Sequence, residues 1–382
     1  MASTSKTTDG LADIHRESGL HLINRVKYAT DPPGDSFIQG FDSHIMNAFP
    51  NLEQILPKSS WARGDIIEIQ GPAASGKTHL LYFWAMTCVL PYRLAVHSGD
   101  HREKKDVLIG GRSKSVIVCD CDGRWSLRRL NTIITSYLRD RLAAVLLQGP
   151  AESYEHSISR AVTNALKRVH IFRPGSTLSL ATTLMAIPTY HRTHMAEEQI
   201  GMLMVDGISS FYWPDRWVSE QIENEPAEVH TAAPQPPPPP MLRSDANPLR
   251  HVLTVILNLR RSLGLVALLT NWGLTTLESQ APPSTVYFRQ HVRAPYPSPF
   301  ESEPRTSKLS LTHHITIPLQ GPEPLEDVSL EDVLVNQEHD ERARSTRLRG
   351  IVRTIGKRPG EARTVVESEF EFMVTEGGVF VS

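Results

Sequence analysis

The chain has 382 residues, enough for one large domain with insertions or for two ordinary domains. Its 40 lysines and arginines are balanced by 42 aspartates and glutamates, which gives a net charge of -2. This balance excludes a global field that would draw the whole protein onto nucleic acid or a membrane, so any such contact must be local. The amino-terminal segment has neither an apolar core nor a cleavage pattern, and no apolar run approaches the length of a membrane span. We therefore expect a soluble protein that is not exported.

In chain order, a polar tail at residues 1–16 is followed by a short helix-like pattern and then, from Gly64, by a regular alternation of strands and helices. We expect the tail to be disordered. Short and almost wholly apolar strands in this alternation predict an α/β fold with a mostly parallel sheet flanked by helices. The predicted strands lie at 65–70, 115–120, 169–173, 201–206 and 264–270, and the predicted helices at 78–90, 126–142, 157–169, 176–187 and 248–263, with the helix at 176–187 ending at Pro188.

Two stretches interrupt the alternation. Residues 218–247 include PQPPPPP, which favours an extended, solvated surface insertion, and residues 275–306 are rich in Pro and Ser, which favours a second mobile loop. Because the alternation resumes after the first stretch, we expect residues 17–382 to form a single domain.

The carboxyl-terminal part of the chain has the period of two that is typical of strands. Such patterns occur at 308–317, 347–355 and 369–381, and the last predicts a hairpin that turns at Gly377 and Gly378. We expect these strands to extend one edge of the sheet in antiparallel fashion.

The three cysteines are Cys88, Cys119 and Cys121. The last two are one residue apart on a predicted strand, so their side chains share a face but cannot easily form a disulfide. This spacing predicts reduced thiols in an intracellular compartment.

Gly71 is separated by four residues from the Gly76-Lys77-Thr78 triplet, which is the spacing of a Walker A phosphate loop. In that loop, backbone N–H groups surround phosphate oxygens, the lysine reaches the outer phosphates and the hydroxyl ligates Mg²⁺. The position between a predicted strand and a predicted helix favours this interpretation over a glycine-rich turn with a solvated lysine, because a helix N-terminus attracts anions. The residues predicted to bind the nucleotide are Gly71, Pro72, Ala73, Ala74, Ser75, Gly76, Lys77 and Thr78.

Asp206 ends the apolar run MLMVD. This is the position of a Walker B aspartate, which holds Mg²⁺ directly or through water. Taken alone, a strand-ending aspartate is more often a cap of the next turn. With the phosphate loop present, we predict that Thr78 and Asp206 form the metal site.

Four segments resemble the RecA-like recombinase paralogues of eukaryotes: ESG at 17–19, GDIIEIQGPAASGKTHLLYFWAMTCVLP at 64–91, VIVCDCDGRWSLRRL at 116–130 and MLMVDGISSFYWPDR at 202–216. The tail FEFMVTEGGV is similar to the closing strands of this family. The resemblance implies a RecA-like P-loop NTPase core, ATP and Mg²⁺ as cofactors, and a nuclear role in repairing DNA double-strand breaks by homologous recombination. It also implies a hetero-oligomer with other recombinase paralogues, and contact with single-stranded or branched DNA through that complex.

Two positions depart from the active members of the family. Where these place a catalytic glutamate, this sequence has Asp122, whose carboxylate is one methylene shorter and so retreats by roughly 1 to 1.5 Å, a misplacement that can cost about a hundredfold in rate. Where they place a glutamine that senses the γ-phosphate, this sequence has Trp272, which we interpret as core packing. Weak or absent ATP hydrolysis is therefore expected. The alternative hypothesis is an active ATPase that depends on single-stranded DNA and exchanges strands. A third hypothesis is a small-molecule phosphotransferase.

Three further features favour structural interpretations. The basic segment 101–115 is expected to be a solvated loop, with contact to DNA phosphates as the alternative. The basic residues of 347–358 are expected to lie along a strand edge, where they oppose aggregation. His313 and His314 point to opposite faces of a predicted strand and make a poor shared metal site.

Overall fold

The computed structural model describes residues 26, 33–49, 59–97, 104–145, 152–224, 247–274, 276–277, 287–289, 292, 296–297, 309–318, 346–354 and 366–381. The predicted disordered tail and the polyproline run at 234–240 lie outside these residues.

The described helices and strands alternate over most of the chain. The helices are α1 (Gln39–Ala48), α2 (Lys77–Val89), α3 (Leu127–Val145), α4 (Glu152–Leu166), α5 (Thr177–His194), α6 (Tyr212–Asn224) and α7 (Leu249–Leu263). The strands are β1 (Ile66–Gly71), β2 (Arg93–His97), β3 (Lys104–Leu108), β4 (Ser115–Asp120), β5 (Val169–Phe172), β6 (Ile200–Asp206), β7 (Val266–Trp272), β8 (Thr276–Leu277), β9 (Tyr287–Phe288), β10 (His313–Thr316), β11 (Thr346–Thr354), β12 (Glu367–Val374) and β13 (Val379–Val381).

Nine strands form one sheet in the order β13-β12-β11-β10-β1-β7-β6-β4-β5. The strands from β10 to β5 in this order are parallel, and β11, β12 and β13 continue the sheet in antiparallel pairs. The predicted fold class, an α/β fold with a mostly parallel sheet and antiparallel strands at the carboxyl-terminal edge, is therefore confirmed.

The sheet is buried on both faces because successive side chains of each strand alternate between two apolar clusters. On β4, Val116 and Val118 join the cluster under α1 to α4, whereas Ile117 and Cys119 join the cluster under α5 and α7. Sheet strands that bury both faces need near-continuous apolar sequence, which is why the strand SVIVCD was predicted with the bounds that the structure has.

One helix extends beyond its predicted end, and another was not predicted. The prediction that the helix starting near 176 ends at Pro188 is wrong, because α5 continues through this proline to His194. A proline inside a helix costs about 3 kcal/mol, which packing against α7 offsets, since Leu184 and Ile187 in the turn before the proline are buried. Residues 218–224, placed in the solvated insertion by sequence, belong to helix α6.

Two predictions about strands also need correction. The strand at 313–316 was expected to be antiparallel to the sheet. It pairs in parallel with β1 on one side and antiparallel with β11 on the other. The basic strand β11 is not an edge, because β12 covers it.

The basic segment 101–115 is also more structured than predicted. Its described part contains strand β3, which forms a hairpin with β2, and the guanidinium of Arg112 lies 5.8 Å from the ring centres of both Phe37 and Trp61. Cation–π contacts of this kind hold the segment against the core, so it is not a free solvated loop.

Candidate nucleotide-binding site

The loop predicted to bind phosphate joins the end of β1 to the start of α2. Gly76 has φ of 87°, a left-handed conformation that glycine adopts without strain. A side chain at this position would also meet Leu348 and Phe372, which come from β11 and β12. The loop therefore leads into helix α2 through a backbone conformation that favours glycine, and the first N–H groups of the helix are of the kind that bind anions at helix N-termini.

Lys77 is the first residue of α2, and its ammonium group is folded back onto the loop. Its Nζ donates hydrogen bonds to the carbonyl oxygens of Gly71 at 2.7 Å and Pro72 at 2.5 Å. Burial lowers the pKa of Lys77 to about 8, although the carboxylates of Asp206 and Asp122 act in the opposite direction. The ammonium group thus lies within reach of the loop and of both acidic groups predicted to belong to the site.

Asp206 ends β6 and faces the first turn of α2. The hydroxyl of Thr78 donates to Asp206 Oδ2 at 3.0 Å, and the hydroxyl of Thr270, near the end of β7, donates to Asp206 Oδ1 at 2.7 Å. Burial raises the pKa of Asp206, and these two hydroxyls partly oppose the change. The two predicted metal ligands, Thr78 and Asp206, are therefore adjacent.

Asp122 follows β4 and accepts a hydrogen bond from the hydroxyl of Ser210, in the segment after β6. Asp120 holds the turn around it, since its carboxylate accepts from the backbone N–H groups of Arg124 at 3.0 Å and Trp125 at 3.1 Å. Asp122 also contributes to the electrostatic environment of Lys77 and Asp206, so the predicted catalytic position belongs to the same end of the sheet.

Trp272 is the last residue of β7, the strand next to β6 in the sheet. Its side chain is only partly buried, so core packing explains its position only in part. Its backbone N–H donates to Ser209 Oγ at 3.0 Å. Asn271, just before it, is fully buried and donates to Glu68 Oε1 at 2.7 Å. The end of β7 is thus fixed on both sides by hydrogen bonds.

The sequence predictions missed the supporting hydroxyls of Thr270, Ser209 and Ser210. A signal was present, since Thr270 ends the apolar run LVALLT and the two serines follow Asp206 closely in DGISS. Carboxyl ends of parallel strands meet at one edge of a sheet, so polar residues just after such strands are candidates for one site.

The donor set fits a nucleotide with Mg²⁺. The glycine cradle and the helix N-terminus suit phosphate, and one hydroxyl with one carboxylate is typical of a Mg²⁺ site that is completed by phosphate oxygens and waters. Within the described ranges, no cluster of three or more His, Cys, Asp or Glu side chains is arranged to hold a metal ion without such help. His313 and His314 follow the prediction, since the first faces Asp65 and Phe49, and the second faces Glu68 and Gln70.

The three cysteines are free. Burial raises the pKa of Cys88 to about 11 and that of Cys119 to about 12, so both thiols stay protonated at neutral pH. In the part of the chain that the structure covers, no helix combines the length and apolarity needed to cross a bilayer.

No protein-family model matches the chain. Individual proteins do match it in sequence. The DNA repair protein XRCC2 of Mus musculus is 28% identical over 210 residues, which are 54% of this chain and 56% of the mouse protein. This chain resembles XRCC2. The DNA repair protein XRCC2 homolog of Arabidopsis thaliana is 26% identical over 170 residues, which are 40% of this chain and 42% of the plant protein.

The chain spans about half the length of the relatives it matches. The sequence motifs resemble the RecA-like recombinase paralogues and, among these, X-ray repair cross-complementing protein two. The similarity to XRCC2 confirms this resemblance. The mostly parallel sheet with antiparallel strands at its carboxyl-terminal edge is consistent with a RecA-like core.

Proposed function

We propose that this chain is an ATP-binding recombinase paralogue that acts in the nucleus as a subunit of a complex assisting homologous recombination repair of DNA double-strand breaks. The observation that carries the proposal is the meeting of Lys77, Thr78 and Asp206 at the glycine loop, with the Thr78 hydroxyl 3.0 Å from Asp206 Oδ2. The similarity to XRCC2, named as a DNA repair protein, supports the biological role. Its partners in this proposal are other recombinase paralogues, and it reaches single-stranded or branched DNA with them.

Different residues of the chain have different roles in nucleotide binding. Lys77 places a positive charge beside the loop carbonyls, and Thr78 and Asp206 would hold Mg²⁺. Thr270 orients Asp206 through its 2.7 Å hydrogen bond. A bound Mg²⁺-ATP would supply a phosphoanhydride whose charge the metal neutralises. In this proposal, its binding free energy stabilises the folded state and the surfaces that a partner contacts.

Weak hydrolysis is part of the proposal. A general base must lie within hydrogen-bond reach of the water that it activates. Asp122 has a short side chain, and its carboxylate already accepts a hydrogen bond from Ser210. Both features oppose its action as a base, which favours a binding role over that of an active strand-exchange ATPase.

Nucleotide binding is the first experiment. A fluorescent ATP analogue titrated into the full chain with Mg²⁺ is expected to bind, and Lys77→Ala is expected to weaken binding by about 100-fold, since a charge-assisted contact with phosphate is lost. Lys167→Ala, at an exposed lysine beyond the end of α4, is the matched control and should bind like the parent. Equal affinities for the parent and Lys77→Ala would contradict the proposal.

Hydrolysis is measured separately, with the chain alone and then with single-stranded DNA and co-purifying recombinase paralogues. We expect turnover to stay far below that of an active recombinase in the isolated chain. Rapid turnover by the chain alone would instead favour the strand-exchange ATPase.

A further inference from the structure

A cavity lies near the amino ends of the parallel strands, whereas the nucleotide site lies at their carboxyl ends. It has a volume of about 390 Å³ and lies where β2 begins and α4 ends. Arg168, in its wall, immediately precedes β5, whereas the nucleotide site follows the last residues of β1 and β6. We call this cavity the arginine groove. Its lining residues are Pro91, Arg93, Leu94, Arg160, Ala161, Asn164 and Arg168.

Three arginines line the arginine groove, and none of its described lining residues is acidic. Arg93 and Arg160 are exposed, and Arg168 is half-buried with its Nη1 3.4 Å from the carbonyl oxygen of Val89. Glu155, on an earlier turn of α4, is already bound by Arg139 through two hydrogen bonds of 2.9 and 3.1 Å. Among the residues that the structure describes, no carboxylate pairs with these three arginines, so their charge is available to a ligand.

The shape of the donors favours phosphate. A guanidinium group offers parallel N–H donors that match two phosphate oxygens, and the side-chain amide of Asn164 adds another hydrogen-bonding group. The remaining lining, from Pro91, Leu94 and Ala161, is apolar and can lie against a sugar ring.

An exposed aromatic ring beside the groove favours a single-stranded nucleic acid over a duplex or an acidic peptide as the ligand. Tyr92 is 59% exposed, and the guanidinium of Arg93 lies 5.9 Å from its ring centre. A base can stack on such a ring only when it is not paired within a duplex, and arginines that follow a backbone beside stacking aromatics are typical of single-strand binding. An acidic peptide would use the arginines but leave this ring without a role.

We propose that the arginine groove binds the backbone of a single-stranded nucleic acid, with Arg93 and Arg160 on phosphates and a base stacked on Tyr92. Arg168, fixed by the Val89 carbonyl, completes the positive wall. This groove lies apart from the proposed nucleotide site. It rests on the proposed function and deepens it, because it names the surface with which this chain itself contacts single-stranded DNA.

The salt dependence of binding tests the groove. Binding of labelled oligo(dT) to the full chain is measured by fluorescence anisotropy between about 50 and 200 mM salt. Each phosphate contact on a single strand contributes about 0.7 to the slope of log K against log salt, so the double variant R93Q/R160Q should reduce that slope by about 1.4. Arg192→Gln, at an exposed arginine on α5 at the other face of the sheet, is the control and should keep the slope of the parent, which differs from that of the double variant by about 1.4.

The stacking contact has its own readout. Tyr92→Ala should weaken oligo(dT) binding about 10-fold, whereas Tyr92→Phe should bind like the parent, because stacking needs the ring and not the hydroxyl. An oligomer of abasic sugar phosphates should bind the parent and Tyr92→Ala equally. Thermal unfolding and binding of the fluorescent ATP analogue, both unchanged, would show that the variants are folded.

Three results would overturn the proposal: no binding of oligo(dT) by the folded chain, an equal slope in R93Q/R160Q and the parent, or displacement of oligo(dT) by oligoglutamate with no effect of Tyr92→Ala. The last result would assign the groove to an acidic peptide. Because ATP binding is measured in the same proteins, failure of the groove and failure of the nucleotide site are distinguishable.

Discussion

The parallel strands and the three antiparallel strands contribute to the candidate nucleotide site in different ways. Lys77, Asp122 and Asp206, which carry its charge, all follow or end elements of the parallel part. The antiparallel part contributes Leu348 and Phe372, which lie against Gly76 from the side. The chemistry of the site therefore comes from strand ends that are near one another by topology, whereas the position of the loop depends on strands that come more than 270 residues later.

The carboxyl-terminal hairpin supports the same region from a second side. Arg129 of α3 donates to the carbonyl oxygen of Thr375 at 2.5 Å and also to that of Glu376, in the turn between β12 and β13. A guanidinium group that binds two adjacent carbonyls fixes a turn well. The antiparallel part is thus attached both to the glycine loop and to the helix beside it.

A buried polar network lies where the two parts meet. Glu68 on β1 accepts from Asn271, and His314 on β10 lies 3.5 Å from Glu68 Oε2. Burial lowers the pKa of His314 to about 3, so its ring is neutral, and Arg353 of β11 adds to this effect. Burial raises the pKa of Glu68 to about 7. Among the residues that the structure describes, Glu68 is therefore a buried acid without a cationic partner at the junction of the two parts.

The largest expected effect tests whether the antiparallel part holds the loop. Phe372 is 2% exposed, so Phe372→Ala should lower the free energy of unfolding by about 3–5 kcal/mol and weaken binding of the ATP analogue. Phe380→Ala, at a ring that is 42% exposed on β13, is the control and should cost less than about 1 kcal/mol. Thermal unfolding and nucleotide titration measure both. A destabilised Phe372→Ala protein with unchanged nucleotide affinity would separate the antiparallel part from the site.

The next effect concerns the junction and depends on pH. Between pH 4.5 and about 7 the folded state keeps a proton on Glu68 that the unfolded state has released, so stability falls as the pH rises through this window. Glu68→Gln removes this loss of stability, because glutamine does not titrate, and it keeps an acceptor for Asn271. It should therefore stabilise the protein above pH 7, by at most about 3 kcal/mol, and have little effect near pH 4.5.

Melting temperatures across this pH range, for the parent and Glu68→Gln, check the prediction. Glu371→Gln makes the same substitution at a side chain that is 55% exposed, and it is the control. A constant difference between the parent and Glu68→Gln at all pH values would show that the buried acid does not titrate in this window.

The smallest effect lies wholly within the parallel part. Ser210→Ala removes the hydrogen bond to Asp122 and should cost about 1.5 kcal/mol, the lower end of the range for a hydrogen bond to a charged group. Asp122→Glu places a longer side chain against the same hydroxyl, so it should cost more in the parent than in the Ser210→Ala background. Unfolding free energies of the four proteins give this coupling directly. Additive costs would mean that the two side chains do not constrain each other.

The predictions from sequence were best where structure depends on local pattern. The strand at 115–120 was predicted with its observed bounds, and the glycine loop was correctly located between a strand and a helix. Binding by the residues from Gly71 to Thr78, by Asp206 and by Asp122 stays a prediction, although the fold brings these residues to one edge of the sheet. Helix α5 was cut short at Pro188 because a local rule took no account of the packing that carries the helix through it.

The sequence by itself determined the alternation of strands and helices, the glycine loop and the acidic residues at strand ends, because each depends on neighbours within a few residues. Only the tertiary structure decided that β10 pairs in parallel with β1, that Phe372 lies beside Gly76 and that Ser210 holds Asp122. These contacts join residues far apart in the chain, and such pairings are set by how apolar faces and buried hydrogen bonds are satisfied together in the folded protein.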